Sequence, residues 1–237
     1  MTATGSASVT FVATDGGALS VEKTVTLNAV TAPAVQGFTV VDGTAPTTVG
    51  KQGEALTFTV ALSEAVTVAG TPVIGFSAGT GSPFNASYVS GSGTNSLTFS
   101  GIAPVGDGTL KLVSIALNGG TVTGNASGQA LVTTAVNQTF GGYSVDNTLP
   151  VVTTSTLSVA ENQTVVGQLA VTDANTVSYA LGSGGDAALF NLSSTGALTF
   201  KSAKNYEVDA KSYSISVVAT DAASNVGAAK TVAVSVT

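Results

Sequence analysis

The chain has 237 residues, 43% of them hydrophobic and only 8% charged, with a net charge of −6. That length holds two β-sandwiches with residues to spare. All seven basic residues are lysines and none forms a stripe to meet phosphates, so nucleic-acid binding is disfavoured. Cysteine and histidine are both absent, which removes disulfides, thiolate or imidazole metal sites and histidine-based triads. No nucleophile, base and orienting group come together, so an enzyme is not expected.

Val, Ala, Thr and Ser dominate, a composition that favours strands. No window carries a long i, i+3, i+4 apolar stripe, so the chain reads as all-β. Thr, Ser and Gly interrupt every apolar run before the ~20 residues that a membrane helix needs, and membrane insertion is not expected. Met1-Thr2-Ala3-Thr4-Gly5 lacks the basic-then-apolar pattern of an export leader.

In chain order, Ser8–Thr14 and Lys23–Val30 predict two strands around an Asp15-Gly16-Gly17 turn. Near the C-terminus Val218-Ala219-Thr220-Asp221, a loop and Lys230-Thr231-Val232 repeat the pattern of Val12-Ala13-Thr14-Asp15, a loop and Lys23-Thr24-Val25. Residues 1–41 are therefore expected to hold the last two strands of a truncated sandwich. Next, Val41-Asp42-Gly43-Thr44-Ala45-Pro46 matches Val145-Asp146-Asn147-Thr148-Leu149-Pro150. The spacing is about one immunoglobulin-like sandwich of roughly 100 residues. Proline cannot donate to a ladder and holds its predecessor extended, so each copy reads as a joint between domains.

Between the copies, Leu56, Phe58, Val60 and Leu62 alternate with smaller residues, the period of a strand with one buried face. Gly70-Thr71-Pro72 predicts a turn, Tyr88–Phe99 a hairpin, and Leu110–Ile115 and Gln129–Thr134 later strands. Phe84 and Tyr143 read as the aromatic residues placed in loops. After the second copy, some seven short segments ending in Val232, Val234 and Val236 predict another sandwich.

Two resemblances sharpen this reading. Gly53–Val60, Leu62–Val68, Gly70-Thr71-Pro72, Tyr88–Thr94, Leu97-Thr98-Phe99, Leu117–Val122 and Val145–Thr148 together resemble an immunoglobulin-like repeat of very large bacterial surface and secreted adhesins. Val159–Asn162, Val171–Asn175, Tyr179–Leu181, Phe190-Asn191, Thr195–Leu198, Asn205-Tyr206-Glu207 and Tyr213–Asp221 resemble a cadherin-like domain. The implied organisation is tandem immunoglobulin-like and cadherin-like β-sandwiches: 1–41 truncated, 42–147 immunoglobulin-like, 148–237 cadherin-like. The implied setting is extracellular, on a bacterial surface or secreted.

By analogy with cadherin-like joints, calcium would bridge facing domain ends. Strand direction and the family pattern place Glu54, Asp107, Asp146, Asn147, Asp173, Asn175 and Asp221 at the 146 joint. Their oxygens suit Ca²⁺, which takes 6–8 such ligands. The opposing reading is that these Asp and Asn residues only form turns. Glu161, Glu207 and Asp209 resemble half of a second metal site at the far end, Glu64 is directed to the 42 joint, and Asp15 is the counterpart of Asp221. The function implied is a stalk or surface-layer element. Filament assembly by strand addition through residues 8–30 is one alternative. A module for a cell-surface glycan or protein is another, although tryptophan, the usual sugar platform, is absent. Partners are neighbouring domains or copies of the same protein.

Overall fold

The computed structural model describes residues 6–17, 20–28, 30–43, 48–79, 81, 83–133 and 138–237. Among them every regular element is a strand except one 3₁₀ turn at Ala187–Leu189. Among the described residues no helix is long and apolar enough to cross a membrane.

Strands β1 (Ser6–Thr14) and β2 (Ser20–Asn28) form a ribbon of their own. It is amphipathic: Ala7, Val9, Phe11 and Ala13 share one face with Val21 and Val25, interrupted by Lys23 opposite Phe11, while Ser and Thr dominate the other. Every described side chain on it is exposed, Phe11 by 62%.

The middle sheet has eight strands. They are β3 (Val35–Asp42), β4 (Val49–Gly50), β5 (Ala55–Leu62), β7 (Val73–Ala78), β8 (Phe84–Ser90), β9 (Ser96–Ile102), β10 (Gly108–Ala116) and β12 (Gln138–Val145). Their order is β3-β5-β9-β8-β7-β10-β12-β4. A separate pair, β6 (Val66–Ala69) and β11 (Thr121–Gly124), lies beside it. The alternation in β5 decides the core: Leu56, Phe58, Val60 and Leu62 are at most 2% exposed. Phe58 stacks on Phe76 with ring centroids 4.0 Å apart. The hairpin β8–β9 turns at Gly91, where φ is +113° and a Cβ would stand 2.1 Å from the Ser96 carbonyl, so only glycine fits.

Several expectations differ here. Asp42 does not open a joint facing the preceding ribbon. Strand β3 pairs antiparallel with β5, Asp42 opposite Leu56, so residues 35–42 belong to the middle sheet rather than to the segment before it. Thr44-Ala45-Pro46 lies outside the described residues. Gln129–Thr134 is no strand: Ala130 makes one bridge to Thr123, and Thr134 is outside the described residues. Phe84 and Tyr143 lie on strands, Phe84 packed against the core and Tyr143 4% exposed within it, because both alternate inward.

The last sandwich comprises β13 (Val151–Val152), β14 (Thr156–Val159), β15 (Val165–Gln168), β16 (Val171–Thr172), β17 (Val177–Leu181), β18 (Phe190–Leu192), β19 (Ala197–Phe200), β20 (Ser212–Asp221) and β21 (Lys230–Val236). A four-stranded sheet, β14-β21-β20-β17, faces a three-stranded one, β15-β19-β18. Phe190, Phe200 and Tyr213 interlock between them, with Phe190 and Phe200 stacked at 4.3 Å. Its core, from Val152 to Val236, is distinct from that of the middle sheet.

Candidate metal centre at the joint

Three aspartates converge where the middle sheet ends and the last sandwich begins. Asp146 follows β12 and its N–H donates to the Gly50 carbonyl at 2.8 Å. Asp173 follows the short strand β16, and Asp221 is the last residue of β20. Each offers a carboxylate oxygen within 4.8 Å of the others. Asp146 and Asp221 are buried, 4% and 6% exposed. Three negative charges this close repel by roughly 3 kcal/mol per pair at an effective dielectric near 20.

Local amides offset part of that repulsion. Thr148 donates its N–H to Asp146 Oδ1 at 2.9 Å, and Asn175 donates its side-chain amide to Asp146 Oδ2. The Asn175 N–H donates to Asp173 Oδ1 at 2.7 Å. Asn225 closes the ring. Its N–H donates to Asp221 Oδ1 (2.8 Å), and its side-chain amide to Asp221 Oδ2 (2.9 Å) and the Asp146 carbonyl (2.8 Å). One oxygen is left over: Asp173 Oδ2 is buried and accepts no hydrogen bond. A buried carboxylate oxygen without a donor is costly, and a cation removes that cost. The donor set is all hard oxygen, which fits Ca²⁺ rather than a softer metal.

The remaining predicted residues divide. Asp107 lines a cleft of ≈ 360 Å³ with Asp146, Thr148 and Asn175, but its oxygens are engaged. They accept from the Thr148 hydroxyl (2.7 Å) and the Asn147 N–H (2.6 Å), which together hold its pKa below the usual value. Asn147 faces the middle domain, accepting from the Gln52 N–H at 2.6 Å and donating to the Gly106 carbonyl at 2.8 Å. Glu54 stands at the same pole but turns inward. It accepts from the Lys51 N–H at 3.1 Å and contacts Asp42, away from the three aspartates. Burial is the main cause of its raised pKa, and Asp42 adds to it. Sequence reasoning misses Asn225, whose signal is an amide four residues after Asp221 in a hairpin loop.

At the opposite end of the last sandwich, Glu161 Oε2 accepts from the Tyr206 N–H (2.9 Å) and Asp209 Oδ2 from the Asn205 N–H (2.9 Å). Glu207 is exposed beside them. Those carboxylates cap turns. Glu64 lies at the far pole of the middle sheet, accepting from Ala126 and Ser127, and not near Asp42.

A side chain clamps the two sandwiches together at this centre. The Lys51 ammonium donates to the Ser224 carbonyl at 2.9 Å. Ser224 itself has φ +63°, a left-handed conformation held by the Asp221–Asn225 loop.

No protein-family model matches the chain, and no curated protein matches it. Among solved structures, the third cadherin domain of human protocadherin 7 aligns with 38% of this chain and 87% of its own, at 18% identity and a TM-score of 0.32. The protocadherin gammaB7 EC3-6 cis-dimer structure aligns at 18% identity and a TM-score of 0.38, over 98% of this chain and 58% of that one. Drosophila N-cadherin EC1-3 aligns at 13% identity and 0.34, over 92% and 73%.

Proposed function

We propose that this chain is a structural or adhesive segment of a repetitive extracellular bacterial surface protein, whose joint is stiffened by calcium. The observation that carries the reading is the buried, unpartnered Asp173 Oδ2 set among the carboxylates of Asp146 and Asp221. Asp146 belongs to the end of the middle domain, and Asp173 and Asp221 to the facing end of the next. Without a cation their repulsion favours an open, hinged joint. With one, the same charges become ligands and hold both ends together, so a rod transmits force across the joint. Calcium titration by calorimetry, with X-ray scattering in calcium and in chelator, tests this on the whole chain. Binding with a lengthened, stiffer particle is expected, and Asp173→Asn abolishes the stiffening. A scattering profile that chelator leaves unchanged would sink the proposal.

A second reading rests on the exposed apolar face of the β1–β2 ribbon. We infer that copies of the chain assemble through it, as a filament subunit would, burying Val9, Phe11, Val21 and Val25 between chains. Light scattering across a dilution series decides this. Assembly that Phe11→Asp prevents supports it, and a monomer at every concentration refutes it.

A further inference from the structure

A second group of acidic oxygens lies inside the middle domain, near the joint aspartates but apart from them. Asp42 ends β3 and is 6% exposed. Glu54 precedes β5, and its carboxyl hydrogen-bonds that of Asp42. Tyr143 reaches the same point from β12. It is 4% exposed, and its hydroxyl makes no hydrogen bond. Gly50 of β4 closes the group. A Cβ there would fall 2.1 Å from Tyr143 Oη and 2.3 Å from Glu54 Oε2, so both oxygens close on the bare backbone.

Two carboxyls in contact require something positive between them: a proton or a metal ion. The adjacent Lys51 contributes its N–H to Glu54 Oε2; its ammonium donates to the Ser224 carbonyl and reaches Glu54 only as a minor through-space charge, outweighed by burial and by Asp42. A phenol oxygen buried without a partner is itself an unmet demand. A hard cation answers both, neutralising the two carboxylates and taking the phenol oxygen as a further ligand. We propose that Asp42, Glu54 and Tyr143 form an inner cation site of the middle domain, taking a hard divalent ion of the calcium class.

The position gives the site a role. The turn from Gly50 to Glu54 touches both groups: the Gly50 carbonyl accepts from Asp146, the Lys51 N–H donates to Glu54, and the Gln52 N–H donates to Asn147. An ion in the inner site braces the turn against which the joint is built. Filling one site therefore favours the other, and the coupling is reciprocal.

The experiment uses the whole chain at neutral pH, with calcium as the probe, read by calorimetry and by the near-ultraviolet difference spectrum of tyrosine. The wild type binds two classes of ion. Asp173→Asn removes the joint class and keeps the inner one with its tyrosine signal. Adding Glu54→Gln to that variant weakens the inner site at least tenfold. Tyr143→Phe, which keeps the ring in the core, weakens it several-fold and erases the signal, and serves if Glu54→Gln fails to fold. Loss of all binding in Asp173→Asn, with a tyrosine spectrum that calcium never moves, would overturn the inner site: the carboxyls then share a proton. Binding unaffected by Asp173→Asn but lost in Glu54→Gln would overturn the joint reading and leave this one standing.

Discussion

The β1–β2 and β20–β21 ribbons are nearly the same object in two situations. Both carry V-A-T-D, a loop and K-T-V, and both pair in the same register, with Phe11 opposite Lys23 where Val217 is opposite Lys230. Phe11 is 62% exposed, whereas Val217 is completely buried. The difference is what lies on the apolar face. β20–β21 is flanked by β14 and β17 and covered by the sheet β15-β19-β18, while β1–β2 has no such cover among the described residues. An amphipathic ribbon specifies that a face must be buried; it does not supply the surface that buries it.

Matched substitutions should break that equivalence most sharply. Val217→Asp buries an unpaired charge and costs roughly 4 kcal/mol or more, enough to unfold the last sandwich in a urea titration. Phe11→Asp, at the corresponding position, changes the midpoint of neither sandwich. Equal losses from both would mean that β1–β2 is packed after all.

The loops give a smaller contrast. Asn225→Ala keeps the backbone donor to Asp221 Oδ1 but removes the side-chain amide from Asp221 Oδ2 and from the Asp146 carbonyl, and is expected to cost about 1–3 kcal/mol. Asp15 accepts a hydrogen bond from Gly17 in its own turn. Asp15→Ala therefore stays within about 0.5 kcal/mol of wild type, as expected for an exposed site. Amide exchange should follow the same order, fast along Ser6–Thr14 and slow along Ser212–Asp221. Protection of the first ribbon that grows with protein concentration would reveal burial between copies.

The least effect comes from pH, and it belongs to the middle domain alone. Glu54 has its pKa raised above 4.5, mainly by burial, so its stabilising contribution is present below that value and lost as pH rises through the folded pKa. Asp107 has its pKa lowered below 3.8 by the Thr148 hydroxyl and the Asn147 N–H. Its contribution is present above that value and lost as pH falls through the folded pKa. In chelator, Glu54→Gln should flatten the loss of middle-domain stability as pH rises above 4.5, and Asp107→Asn the loss as pH falls below 3.8. Neither variant should alter exchange in β1–β2 or β20–β21. A shift of both ribbons with these titrations would mean that the domains unfold as one unit.

Much of the fold was legible because strands announce themselves locally. The period-2 pattern of residues 56–62 and the V-A-T-D ribbons needed no partner to be recognised. Strand direction returned Asp173 to the end that holds Asp146, and the cadherin-like resemblance set Asp221 beside it; the three carboxylates do lie together. The assignment of residues 35–42 was not legible. Their alternation declares a strand, but the choice of β5 as its partner is made across a distance that no local pattern encodes. The two V-D-[GN]-T-x-P stretches therefore looked like successive joints, whereas both aspartates stand at one pole of the middle sheet.

The role of each polar group followed the same division. Composition and order determined an all-β chain without thiol or imidazole chemistry, and acids and amides at strand ends. Only the tertiary structure decided which of these meet: Asp146 with Asp173 and Asp221, Asn225 between them, Glu54 with Asp42 and Tyr143 instead of with the joint. Alternation and turn chemistry act over a few residues and can be read along the chain. A carboxylate's partners are set by how strands from distant parts of the sequence stack, and that is settled by burial of the whole core.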